Sequence, residues 1–166
     1  IHENIDSIRF NNSKAAYDLP QYLIRLGHAR IVFVNIRPAR GTIKEREDGY
    51  VEAMKHAGLQ PLILKNKISW TSDAESDQVQ FSYHLLKKRW SALDRPSCFI
   101  GVNDSHALGI LFYLKEQGMS VPEEVSIAGF DNLYAGLAIP RLTSMRMPTR
   151  EAGECAAKLL IKRIKE

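Results

Sequence analysis

The chain has 166 residues, 45% of them apolar and 25% charged, which suits one folded domain with a buried core. Lys and Arg number 23 against 19 Asp and Glu; the net +4 is spread thinly, so a solvated surface is expected rather than a nucleic-acid-binding face. The 2 cysteines form no Cys-x-x-Cys pair and give no pattern for a disulfide framework or a zinc site, and no stretch approaches the roughly 20 apolar residues of a membrane span.

In chain order, IDSIRF (5–10) is read as a short strand with Ile5 and Ile8 half-buried. Residues 13–26 carry Ala16, Leu19, Leu23 and Leu26 at helical spacing and stop at Gly27. Pro20 lies inside that pattern, where it removes one backbone hydrogen bond, so a kink or a restart is expected. RIVFVNI (30–36) is a continuous β-branched and aromatic run, the pattern of a strand covered on both faces. After the polar loop RPARGTIKE a helix is predicted over about 44–57, with Tyr50, Val51 and Met54 inward. PLILK (61–65) is the next strand, and a helix over about 73–90 places Val79, Tyr83, Leu86 and Trp90 on one face, with Thr71 or Ser72 as its cap.

The centre of the chain is Ser97–Met147. CFIGV and VSIAGF are apolar runs too short for core helices, and each ends in a polar pair, Asn103-Asp104 and Asp131-Asn132. Ala107, Leu111 and Leu114 lie on one helical face between them, ending at Gly118, which makes one β-α-β unit. Parallel strands joined through a helix bring both polar pairs to the same edge of the sheet, where open α/β sheets hold ligands. Amides and carboxylates, rather than a glycine-rich phosphate loop, point to a ligand rich in hydroxyl or N–H groups. Asp104 is expected to cap the helix and Asn103 to face the ligand. LTSMRM is a last short strand, and a helix from about Thr149 carries an apolar stripe of Ala152, Ala156, Leu159 and Leu160. The alternation predicts an α/β fold built on a doubly wound parallel sheet.

The ordered set LIRLGHARIVFV, REDGYVEAMKHAGL, NDSHALG, VPEEVSIAGFDN and PRLTSMRMP resembles the effector-binding domain of the LacI/GalR family of bacterial transcription regulators. That resemblance implies a periplasmic-binding-protein-like fold of two lobes around a cleft, with this chain mainly the C-terminal lobe. It implies that residues 28–147 form that lobe, that 1–27 and 148–166 are pieces of the N-terminal lobe, and that the helix-turn-helix headpiece is absent from this chain. It further implies a cytoplasmic homodimer that binds a small-molecule effector, with operator DNA reached only through the headpiece. On the family pattern Arg46 clamps the effector, Asp131 accepts two hydrogen bonds from it, Asn103 offers an amide, and Trp70 presents a ring face. Arg40 and Thr42 extend towards the cleft at a spacing similar to purine-responsive members. Phe10-Asn11-Asn12 stands where the family has an Asp-Asn-type pair, leaving Asn11 as the possible substitute contact.

The expected function is therefore a regulatory binding module for a metabolite, with a sugar favoured over a purine. A periplasmic sugar-binding component of a transporter shares the fold and most of the site. An enzyme using Asp104 and Asp131 ranks last, since no nucleophile with an evident base and no cofactor loop is present in the sequence. No cofactor is expected. His2, His28, His56, His84 and His106 show no i, i+3 or i+4 pairing, so no metal is expected either.

Overall fold

The computed structural model of the chain describes residues 5–35, 41–65 and 75–165. Its strands are β1 (Ile31–Asn35), β2 (Leu62–Lys65), β3 (Cys98–Gly101), β4 (Ser126–Asp131) and β5 (Thr143–Arg146). They form one sheet in the order β2-β1-β3-β4-β5, and every pairing is parallel. The helices are α1 (Asn12–Arg25), α2 (Gly41–His56), α3 (Glu75–Arg89), α4 (Asp104–Glu116) and α5 (Thr149–Lys165). A doubly wound α/β sheet is thus what the alternating pattern produced.

The apolar run of β1 is explained by its neighbours. Successive side chains of a strand point to opposite faces, and both faces of β1 are covered. Ile31 and Phe33 meet Ala16, Leu19 and Leu23 of α1 and Tyr50 and Met54 of α2, together with Cys98, Ile100 and Phe130 of the sheet. Val32 and Val34 face the other way, towards Phe81, Leu85 and Leu86 of α3 and Ala107, Ile110, Leu111 and Leu114 of α4. Tyr50 closes the first layer with a polar contact. Its buried hydroxyl accepts from Leu62 N at 2.8 Å and lies 2.8 Å from Ile31 O, tying α2 to both β1 and β2. The predicted stops at Gly27 and Gly118 take φ of +97° and +73°, a region closed to most side-chain-bearing residues.

Several local expectations are corrected. Residues 5–10 form no strand and are largely exposed; the poor alternation of IDSIRF gives neither face a continuous apolar surface. Helix α1 runs through Pro20 without restarting, because that ring is itself buried in the layer that holds α1 down. Leu26, past the last turn, is exposed. On α3 the deepest residues are Phe81, Ser82, Leu85 and Leu86, while Tyr83 and Trp90 pack half-buried at the edge, and the α-helix gives way at Trp90 to a 3-10 turn. The proposed caps Thr71 and Ser72 lie outside the described residues.

Helix α1 contributes Ala16, Leu19 and Leu23 to the same core as β1, so residues 12–25 are built into this layer. The other two end segments differ. No residue of α5 is buried, and its Arg163 holds Asp6 through two hydrogen bonds of 2.8 and 3.1 Å. The 5–10 segment and α5 therefore meet each other, with Asp6 and Ile8 beside Leu159, Leu160 and Arg163.

Candidate functional site

The sheet order reverses between β1 and β3, since β1 leads outward to β2 while β3 leads the opposite way to β4. In doubly wound sheets the crevice beyond the carboxyl ends of the strands at such a point is where ligands sit. Four elements bring polar groups to that crevice.

Arg46 reaches it from the second turn of α2. Its guanidinium is buried, with Nε donating to Asn12 Oδ1 at 3.1 Å, Nη1 to the Val102 carbonyl at 2.7 Å, and Nη2 to Asp131 Oδ1 at 2.7 Å. The Phe130 ring lies 4.9 Å beneath it. A planar cation with forked donors is suited to three acceptors in different directions, which an ammonium does not match. The arrangement links α1, α2, the end of β3 and the end of β4 through one side chain. Asn12 is oriented in turn by donating to Glu45 Oε2 at 3.1 Å and to the Phe10 carbonyl at 3.3 Å.

Asp131 terminates β4 with φ of +91°, and Asn132 follows at +53°. Both values lie in the left-handed half of backbone space, where residues with side chains are uncommon and Asn and Asp are the usual occupants. The turn swings the Asp131 carboxylate back towards Arg46. Among the described residues, only Asp131 Oδ1 is engaged, and Oδ2 carries no hydrogen bond.

Beside this pair, Asn103 is the N-cap of α4. Its Oδ1 accepts from His106 N at 3.0 Å and lies 2.6 Å from His106 Nδ1, and its amide donates to Gln78 Oε1 at 2.7 Å. Asp104 is not the cap. It is the first helical residue, 1% exposed, and its carboxylate accepts from Ser144 Oγ at 2.6 Å and from Tyr134 N at 3.1 Å. The extended backbone at Asn103 aims its own side chain at the free N–H groups, whereas one residue later the chain has already turned and Asp104 points across the sheet to β5. Gln78, Asn103, Asp104, Ser105, Asp131, Leu133 and Tyr134 line a small depression at this edge.

A second polar cluster occupies the outer half of the same edge. Glu47 is buried, accepting from Asn35 Nδ2 at 3.0 Å and from Lys65 Nζ at 2.5 Å, so the ends of β1 and β2 are joined by one carboxylate. Each charged group described at the edge thus has a counter-charge or several donors. A neutral ligand able both to donate and to accept hydrogen bonds suits such a surface better than a phosphate.

Of the sequence-predicted site residues, Arg46, Asp131 and Asn103 are brought together. Thr42 is exposed in the first turn of α2. Asn11 points away: its side chain caps α1 by accepting from Lys14 N at 3.0 Å, and the neighbouring Asn12 makes the cleft contact instead. Arg40 and Trp70 lie outside the described residues. Asn12, Glu47 and Ser144 were not singled out from the sequence. The Asn11-Asn12 doublet was the one signal for the first of them; the other two are common surface residue types until the fold places them.

The sequence matches the periplasmic binding protein-like domain family over residues 21–166. It is similar to the HTH-type transcriptional repressor PurR of Vibrio vulnificus, 30% identical over 167 residues that cover 100% of this chain and 48% of that protein. Among solved structures it is similar to the Escherichia coli transcriptional repressor ascG, with 26% identity, a TM-score of 0.80, and 99% of this chain and 58% of the other covered. A LacI family transcriptional regulator from Enterococcus faecium, solved with bound ribose, matches with 26% identity and a TM-score of 0.80, covering 99% of this chain and 59% of the other. The chain spans about half the length of the curated relatives it matches, 48% in the Vibrio vulnificus case.

Proposed function

The chain belongs to the periplasmic binding protein-like domain family, on the branch of LacI-type transcription regulators, and from that premise we propose that it grips a small neutral metabolite, a sugar before a purine, to control DNA binding by a longer regulator. The observation that carries the ligand class is the Arg46–Asp131 pair at the switch point, 2.7 Å apart, with Asp131 Oδ2 facing no partner among the described residues. Two adjacent hydroxyls fit it, one donating to the carboxylate and the other accepting from the guanidinium. From the family pattern Asn103 and Trp70 remain candidate contacts for a monosaccharide, an indole ring being suited to its apolar C–H face. A purine is the second choice and rests on the spacing of Arg40 and Thr42. A periplasmic transport component is disfavoured because the relatives reported above are repressors and regulators.

Lobe closure over the ligand is the switch: a ligand that touches both lobes binds the closed state better and shifts the population towards it. The sheet with α1–α4 is one lobe in this proposal, and the 5–10 segment with α5 belongs to the other. Operator contact lies in a headpiece outside this chain, and the parent works in the cytoplasm. The parent is a homodimer in this proposal, and Phe112, Leu137 and Ile139, exposed by 52, 80 and 79% on α4 and the adjoining loop, are apolar surface suited to an isologous contact.

The test is a thermal shift of a chain carrying both lobes against free sugars, sugar phosphates and purines. Ligand at about 100 times its Kd adds roughly 2.7 kcal/mol. A sugar-dependent shift that disappears in Arg46→Ala and Asp131→Ala supports the assignment. A response to purines alone moves the ligand to Arg40 and Thr42, and no response to any of the panel removes the sugar proposal.

A further inference from the structure

We infer that Asp104 and Ser144 are positioning residues that hold the Asp131–Asn132 turn in its left-handed form and so set where the Asp131 carboxylate points. The inference rests on the ligand role proposed above for Asp131. Two consecutive residues with side chains at φ of +91° and +53° are a conformation the chain does not keep unaided. What over-determines it is a relay across three elements. Asn132 N donates to Ser144 Oγ at 3.0 Å, and Ser144 Oγ donates to Asp104 Oδ1 at 2.6 Å. The other oxygen of Asp104 accepts from Tyr134 N at 3.1 Å, so both sides of the turn are held by one carboxylate.

The sequence makes room for this carboxylate. A Cβ at Gly129 would lie 2.8 Å from Asp104 Oδ1 and 3.3 Å from Ala107 Cβ, so any larger residue on β4 would push Asp104 off the strand. Asp104 is 1% exposed, and a buried charge without its donors is costly, which makes the relay all-or-none. Ser144 is held opposite Gly129 by the parallel register of β4 and β5, and Asp131 lies opposite Arg146 two residues further on. Arg46 and Asn12 thus hold the carboxylate from one side of the crevice, and the relay holds the backbone beneath it from the other.

A role confined to stability would lower the melting temperature without altering the Arg46–Asp131 interaction, so that interaction is the readout. The coupling between Arg46→Ala and Asp131→Ala is measured by urea unfolding in the wild-type background and again with Ser144→Ala. A factor of roughly ten or more in the folding equilibrium is expected in the first, falling below about threefold in the second. Ser144→Thr keeps the oxygen and restores it. Amide exchange supplies the second measurement: Asn132 N–H exchanges at least about tenfold faster in Ser144→Ala while Phe99 and Ile127 stay protected. Asp104→Asn, which replaces one acceptor by a donor, gives the same pattern. Unchanged coupling, or unchanged Asn132 exchange, overturns the inference. Neither readout uses a ligand, so a failed ligand panel counts only against the function proposed above. With a responding ligand, Ser144→Ala weakens affinity about ten- to hundredfold.

Discussion

Replacing Arg46 by Ala is the sharpest test of how the site is assembled. The substitution strands three acceptors at once: Asn12 Oδ1, the Val102 carbonyl and the Asp131 carboxylate. Removing one partner of a buried ion pair costs about 3–5 kcal/mol, because the remaining charge stays desolvated. Asp131 keeps 25% of its side-chain exposure, so water reaches it once the guanidinium is gone and the lower end applies, about 3 kcal/mol. For a chain of 166 residues each kcal/mol moves Tm by about 2–4 °C, which gives a fall of roughly 6–12 °C. Arg46→Lys keeps the charge but reaches fewer of the three acceptors, and an intermediate loss of about half that size is expected. Urea unfolding followed by circular dichroism, with a thermal melt alongside, measures both variants. The loss should persist in about 0.5 M salt, since a pair shielded from solvent is screened weakly. A loss below about 1 kcal/mol for Arg46→Ala would mean that the guanidinium contributes like an ordinary surface pair, and the reasoning above would be wrong.

Burial pushes the Tyr50 hydroxyl and the Cys98 thiol up to about 12, from 10.0 and 9.0. The native chain therefore holds protons that the unfolded chain releases, and stability declines from about pH 9 towards 12, by about 1.4 kcal/mol per pH unit for each titrating group; unfolding midpoints that stay flat from about pH 9 to 11 would contradict this. At neutral pH Tyr50→Phe orphans Leu62 N–H and Ile31 O and should cost about 1–3 kcal/mol by denaturant titration. Ser82 runs the opposite way: it is 0% exposed, and its hydroxyl has no partner among the described residues, so Ser82→Ala should be neutral or stabilising by up to about 1 kcal/mol. Gly49→Ala puts a Cβ 2.2 Å from Ser13 O, forcing α1 away from α2 and loosening the Asn12–Arg46 contact. A loss of about 3 kcal/mol is expected in urea, whereas Gly153→Ala on exposed α5 meets nothing within 4 Å and should gain about 0.5–1 kcal/mol.

The sequence by itself determined the order of strands and helices, because continuous apolar runs and helical spacing are local consequences of what each segment must bury. IVFVN is a central strand whatever lies around it, and polar pairs at strand ends must meet at one edge once the strands are parallel. Arg46 and Asp131 were legible as candidates only through the family resemblance, since by spacing alone the first reads as a surface arginine and the second as a turn former. Their pairing was not, since a sequence separation of 85 leaves the approach of the two side chains to how α2 packs over the end of β4. Asn11 and Asn12 show how fine that decision is. Adjacent positions at a helix start point in different directions, so one residue caps the helix and the next orients the arginine. Asn103 and Asp104 divide capping and bridging in the same way, by a backbone turn that residue type does not reveal. On α5 the expected stripe of Ala152, Ala156, Leu159 and Leu160 lies on a helix, yet only Ala152 and Leu159 are half-buried, and Leu160 stands 62% exposed. Spacing determines which side chains share a face, and only the arrangement of neighbouring elements decides whether that face is covered.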